Sequence, residues 1–126
     1  MIRSDEGNTV SYWEASEDLL KKDALGQSIE TDVCIIGGGI SGLTTAYLLA
    51  KAGQKVVVID DGVIGGGETA RTPAHLSNAL DDRIYRVEKW HGEEKARLAV
   101  QAHGAAIGEI ERIIETERIY CNFARV

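Results

Sequence analysis

Proline occurs once in these 126 residues, at Pro73, and cysteine twice, at Cys34 and Cys121. Two cysteines so far apart make neither a C-x-x-C pair nor a disulfide framework, so both are expected to be buried or half-buried thiols. Long apolar runs are missing too, and none approaches the roughly 20 residues of a membrane span. Asp5 and Glu6 stand early with no apolar run behind them, which is not the pattern of a signal peptide. No stretch clusters Lys and Arg, and the net charge is −6, so a surface for nucleic acid is not expected. His75, His91 and His103 are separated by 16 and 12 residues with no Cys nearby, which matches no metal-ligand spacing. These absences leave a cytoplasmic, globular class.

What is present is glycine, 14 residues of it, and 44% hydrophobic content, enough for a core. Residues 1–30 are polar and mixed, an arm with room for one short helix. From Thr31 the texture changes. Val33-Cys34-Ile35-Ile36 is a continuous β-branched run ending on glycines, which predicts a parallel strand buried on both faces. Ile40 to Ala52 predicts a helix ended by Gly53 in the left-handed position, and Lys55 to Asp60 a second buried strand. Together they make a βαβ unit of about thirty residues. Residues 61–78 are read as a loop, Asp81 to Trp90 as a short helix, and Glu93 to Glu117 as a long amphipathic helix after a break at Gly92. Ile119 to Phe123 alternates and is expected to be a strand.

The glycines of the first turn carry the chemistry. Gly37, Gly39 and Gly42 fill a G-x-G-x-x-G between strand and helix. The first permits the tight turn, the second lets a pyrophosphate approach the backbone, and the third lets helix and strand lie close. The helix N-terminus adds unpaired N–H groups and partial positive charge. Gly42, Ala46, Ala50 and Gly53 keep one ridge of the helix small, the longer form typical of FAD-binding proteins. Asp60, 21 residues after Gly39, stands where a carboxylate would accept the adenosine ribose hydroxyls, and an acid there argues against a 2′-phosphate. Asp61, just outside the strand, is the second candidate, with a solvated loop carboxylate as its other reading. A glycine turn serving close packing alone would leave Asp60 without a purpose.

The loop from Gly65 to Leu76 offers small residues, the hydroxyls of Thr69 and Thr72, and Arg71, where phosphates and a ribityl chain would leave the first turn. A solvated surface loop is the alternative for Arg71. His75 could orient substrate or tune a flavin, or be simply hydrogen-bonded structure. Glu109, Glu111, Glu115 and Glu117, interleaved with Arg112 and Arg118, read as a solvated helix face. No Ser–His–Asp order suggests a nucleophile.

The stretch Asp32-Val-Cys-Ile-Ile-Gly-Gly-Gly-Ile-Ser-Gly-Leu43, then Val-Val-Val-Ile-Asp60, then the Gly-Gly-Glu-Thr-Ala-Arg-Thr-Pro-Ala-His75 loop resembles the start of the D-amino-acid-oxidase-like FAD-dependent oxidoreductases. The resemblance covers about residues 11–126. The loop with Leu76 to Asp82, and the early Tyr12-Trp13-Glu14, is similar to a subgroup carrying a C-terminal Rieske [2Fe-2S] domain. No paired Cys and His of Rieske type occur here. The resemblance implies that Gly37, Gly38, Gly39, Ile40, Ser41 and Gly42 line the pyrophosphate of FAD. It places Asp60 on the ribose, and the span from Thr69 through Arg71, Thr72 and Ala74 to His75 on the phosphate and ribityl side. None of these is a catalytic acid or base. The flavin itself would accept a hydride from an amine or amino acid.

A doubly wound sheet needs about five or six strands, and only two secure ones and a third at the end are legible. The expectation is therefore a Rossmann-like α/β unit with an incomplete sheet. Residues 1–30 form an arm, and 31–126 the N-terminal part of an FAD-binding domain of a longer protein, inactive alone and weak in binding FAD. Two other readings stay open: an NAD-binding dehydrogenase fragment, or a non-catalytic module that self-associates through its open sheet edge.

Overall fold

The computed structural model describes residues 10–16 and 18–125. Asp5, Glu6 and the rest of the first nine positions of the expected arm lie outside them. The elements run α1 (Tyr12–Ser16), β1 (Val33–Ile36), α2 (Ile40–Lys51), β2 (Val56–Ile59), α3 (Gly67–Ala70), α4 (Ile84–His91) and α5 (Glu93–Glu117). The chain divides after Pro73 into two units, each described by itself.

In the first unit, β1 and β2 pair in parallel from Val33 against Val56 to Ile36 against Ile59, with α2 packed on the ladder. Side chains fasten the open end of this ladder. The Lys55 amide donates to the Asp32 carboxylate at 2.7 Å, and the Thr31 hydroxyl donates to the Lys55 carbonyl at 2.6 Å. At the other end the Gly37 amide donates to the Ile59 carbonyl at 2.8 Å, extending the pairing into the glycine turn. Helix α2 stops as expected. Gly53 takes φ +83, and the amides of Ala52, Gly53 and Gln54 cap the last carbonyls.

Four expectations need correction here. The strands are not buried on both faces: burial alternates along β1 and Ile36 is 86% exposed, because one helix covers one face of a two-stranded sheet. For the same reason Cys34 is exposed, as is Cys121. The stretch 61–78 is not all loop, since Gly67–Ala70 closes one helical turn. Finally, Ile119 to Phe123 forms no strand, because among the described residues its own unit holds only helices and no strand to pair with.

In the second unit α4 and α5 pack as a helical hairpin about Gly92, whose φ of +86 ends one helix and begins the next. Ala96, fully buried, marks the contact side of α5. The observed bounds of α5 match those read from the sequence, while α4 starts three residues later than expected. The expected solvated face holds: Arg112 pairs with Glu109 in one helical turn, and Arg125 reaches back to Glu111. No helix among the described residues is long and apolar enough to cross a membrane.

Candidate nucleotide-binding site

The first turn of the βαβ unit follows from four glycines with different reasons for lacking a side chain. Gly37 adopts φ +104, a conformation that L side chains rarely enter. A Cβ on Gly38 would stand 2.6 Å from Ile64 Cδ1, and one on Gly39 2.7 Å from the Thr69 hydroxyl. A Cβ on Gly42 would sit 1.9 Å from the carbonyl oxygen of Gly37, so strand and helix meet there backbone to backbone. The small ridge foreseen along α2 is narrower than expected. Gly42 makes the close approach and Ala46 is half-buried, but Ala50 is exposed and Gly53 has nothing within 4 Å of its missing side chain.

Asp60 ties the turn to the end of β2. Its Oδ2 accepts the Gly38 amide at 2.6 Å and its Oδ1 accepts the Gly62 amide at 2.8 Å. These two donors, Gly38 first, hold the carboxyl below its ordinary value and keep it ionised, against a smaller opposing effect of desolvation. A carboxylate has about four lone-pair sites, so each oxygen keeps acceptor capacity for a hydroxyl of a bound ribose. Asp61 is exposed.

Helix α2 begins at Ile40 with Gly39 as its N-cap, and Gly39 has no side chain to cap it. Thr69 does so from across the site: its hydroxyl accepts the Ile40 amide at 3.0 Å. The next amides, Ser41 and Gly42, have no partner within the helix by its geometry and point out of its positive end. The Gly65 amide donates to the Gly38 carbonyl at 2.9 Å, so the second glycine cluster lies against the first. Gly65 and Gly67 both take positive φ in making that path, and Ala70, 1% exposed, anchors α3.

The structure thus brings together Gly37, Gly38, Gly39, Ile40, Ser41, Gly42, Asp60 and Thr69. Thr72 is half-buried beside them. Arg71 is exposed and pairs with Glu68 at 3.3 Å, a surface pair of little energetic weight. Ala74, at φ +58, and the exposed His75 belong to the second unit. A cavity of about 300 Å³ opens beside the turn, lined by Trp13, Ile40, Gly65, Thr69, Ala70 and Thr72 among others. A larger one, about 440 Å³, lies in the second unit between the end of α5 and residues 119–125.

Trp13 was missed as part of this region. Its indole N–H donates to the Thr72 carbonyl at 2.8 Å. The signal was legible in Ser11-Tyr12-Trp13-Glu14, an S-x-x-E capping box. In the structure the Glu14 amide donates to Ser11 Oγ at 3.1 Å and the Ser11 amide to the Glu14 carboxylate at 3.3 Å. The arm also reaches the second glycine cluster, where the Ile64 amide donates to the Leu20 carbonyl at 3.1 Å in an antiparallel bridge.

A strand, a glycine turn, a helix and a second strand ending on a fixed carboxylate define a dinucleotide-binding protein of the Rossmann-like class, here with a partial sheet. The glycine cradle, the outward amides of α2 and the ionised Asp60 fit an adenine dinucleotide. The profile of the DAO family, described as FAD dependent oxidoreductase, matches residues 32–126, and the chain belongs to this family, whose cofactor is FAD. The chain is 42% identical over 114 residues to YhfW of Bacillus subtilis (strain 168), named as a Rieske 2Fe-2S iron–sulfur protein, covering 90% of this chain and 22% of that protein. It is 36% identical over 119 residues to gamma-glutamylputrescine oxidoreductase of Escherichia coli (strain K12), covering 92% and 28% respectively. A thiamine thiazole synthase of Thermotoga maritima is 32% identical over 105 residues, covering 79% and 42%. The chain therefore spans about a quarter of the length of the first two relatives. No solved structure matches it.

Proposed function

We propose that this chain supplies the adenosine and pyrophosphate half of the FAD site in an enzyme that oxidises an amine or an amino acid. The observation that carries the reading is the joined geometry of Gly38, Asp60 and Thr69: one amide and one hydroxyl hold an acid and a helix start at the two ends of a glycine cradle. Gly37 to Gly42 would hold the pyrophosphate, Asp60 the ribose hydroxyls, and Thr69, Arg71, Thr72, Ala74 and His75 the phosphate and ribityl side. Asp61 is the alternate acid at the ribose. Bound FAD would supply a ring that accepts a hydride from the carbon bearing the amine nitrogen, the C–N bond becoming C=N. The residues of this chain bind and orient. Ser41 and Gly42 present backbone donors to anionic oxygens while Thr69 takes the Ile40 amide, and Asp60, fixed by two amides, accepts without rearranging.

The substrate class rests on the likeness to gamma-glutamylputrescine oxidoreductase, whose name describes the oxidation of an amine-bearing molecule. The acidic composition and the lack of a long apolar helix among the described residues fit a cytoplasmic enzyme. The half-open sheet, with Ile36 bare, offers an edge for self-association. The full-length protein is expected to purify yellow, with flavin absorption that bleaches when primary amines or amino acids are added without oxygen. A colourless preparation that takes up no FAD overturns the cofactor reading; a yellow one that no amine or amino acid bleaches overturns the substrate class alone.

A further inference from the structure

We infer that Trp13 is a positioning residue of the cofactor site: through the Thr72 carbonyl it holds α3 so that the Thr69 hydroxyl meets the first amide of α2. The inference rests on the FAD-site reading above and adds a residue from an arm that the glycine motifs do not include.

Three observations carry it. First, the arm is locally built to aim the indole. The reciprocal Ser11–Glu14 capping box closes a single helical turn, and Tyr12 packs edge-on to Trp13 with ring centroids 5.2 Å apart at 82°. An isolated turn of this length has little stability of its own, so the tertiary bond of Trp13 supplies what the local sequence cannot. Second, the indole N–H reaches across 59 positions of sequence to a main-chain carbonyl, at 2.8 Å in a half-buried setting. That carbonyl belongs to Thr72, whose amide in turn donates to the Thr69 carbonyl at 3.3 Å. The indole therefore fixes the end of the same turn that carries the Thr69 hydroxyl. Third, the Leu20–Ile64 bridge pins the arm again at the start of the second glycine cluster. The segment bearing Thr69 is thus held on both sides, by Leu20 before it and by Trp13 after it.

The consequence is chemical. The Thr69 oxygen accepts the Ile40 amide, which leaves its own O–H free to donate to an anionic oxygen at the helix start. Moving α3 by the length of one hydrogen bond takes that donor away. Trp13 acts through Thr69 and touches no reacting atom.

The test uses the full-length protein, stripped of flavin and titrated with FAD by fluorescence, as wild type, W13F, T69A and the double variant. W13F keeps an aromatic ring, smaller than the indole, and removes the donor. It is expected to weaken FAD binding about three- to tenfold, the worth of one hydrogen bond. T69A is expected to weaken binding similarly, and the double variant no more than T69A alone, because both substitutions remove one device. A scaffolding role for Trp13 would instead make the two effects multiply, and that result, or an unchanged affinity in W13F, overturns the inference. If W13F lowers the apoprotein melting temperature, Ser11→Ala, which opens the capping box and keeps the indole, runs the same cycle: coupling to T69A supports the inference and additivity overturns it. A wild-type protein that binds no FAD overturns the cofactor reading itself, a result distinct from all of these.

Discussion

The carbonyl oxygen of Gly37 occupies the place where a side chain on residue 42 would begin: a Cβ built there lies 1.9 Å away. The contact is between two main-chain segments, a strand end and a helix start, so neither can turn aside as a flexible side chain would. It explains why the third glycine of the fingerprint is needed before any cofactor enters.

Gly42→Ala is therefore expected to destabilise the folded protein by about 3 kcal/mol or more, at the upper end of overpacking costs. Gly39→Ala should cost less, because its Cβ meets the Thr69 hydroxyl at 2.7 Å and that side chain can rotate. Urea denaturation of the two apoproteins checks the order. Equal losses would show that the Gly37–Gly42 approach is not the tight contact described.

Asp60→Asn places an amide where a carboxylate accepts two main-chain N–H groups. One oxygen of the pair becomes a donor facing a donor. FAD affinity is expected to fall about tenfold or more, the worth of a hydrogen bond to a charged group. Isothermal titration of the full-length apoprotein with FAD measures it. An unchanged affinity would remove Asp60 from the ribose site and leave Asp61 as the candidate.

Acid should act through the same residue. The folded pKa of Asp60 lies below its ordinary value of 3.8, so its contribution to stability is fully present above that value and is lost as the pH falls through the lower folded one. Glu109 and Glu111, held down mainly by hydrogen bonds from Arg112 and Arg125, lose theirs in the same direction. The difference in melting temperature between wild type and D60N isolates Asp60. It should be constant from about pH 7 to 5 and shrink below about pH 4. A difference that persists unchanged at pH 2.5 would contradict this.

The 126 residues by themselves should bind FAD weakly or not at all. A two-stranded sheet with Ile36 open has marginal stability on its own, and among the described apolar residues only Ala70 and Ala96 are buried. Titration of this chain against the full-length protein compares them directly; equal affinities would mean that the half-site is sufficient.

Much of this was legible because it is local. Val33 to Ile36 ends on glycines and so had to stop there, and the helix after it had to end near Gly53, whose φ of +83 only glycine enters readily. The long helix was bounded correctly because Gly92 breaks the chain before it and its apolar spacing runs out after Ile114. The G-x-G-x-x-G and Asp60 likewise carried the expectation of a dinucleotide site through spacing alone. Other features misled for physical reasons. Gly65-Gly66-Gly67 reads as breakage, yet it leads into a helical turn because Gly65 bonds to Gly38 and Ala70 is buried. Ile119 to Phe123 has the alternation of a strand, but alternation cannot supply the ladder that a strand requires.

The sequence by itself determined the βαβ unit, its glycine turn and the acid at its end, because each depends on residues within a few turns of one another or on which conformations glycine alone can reach. Tertiary structure decided the rest. It placed the Thr69 hydroxyl on the first amide of α2, 29 positions away, and the Trp13 indole on the Thr72 carbonyl, 59 positions away. Hydrogen bonds between such distant residues have no period or spacing to betray them, since they exist only once the strands and turns between have already folded.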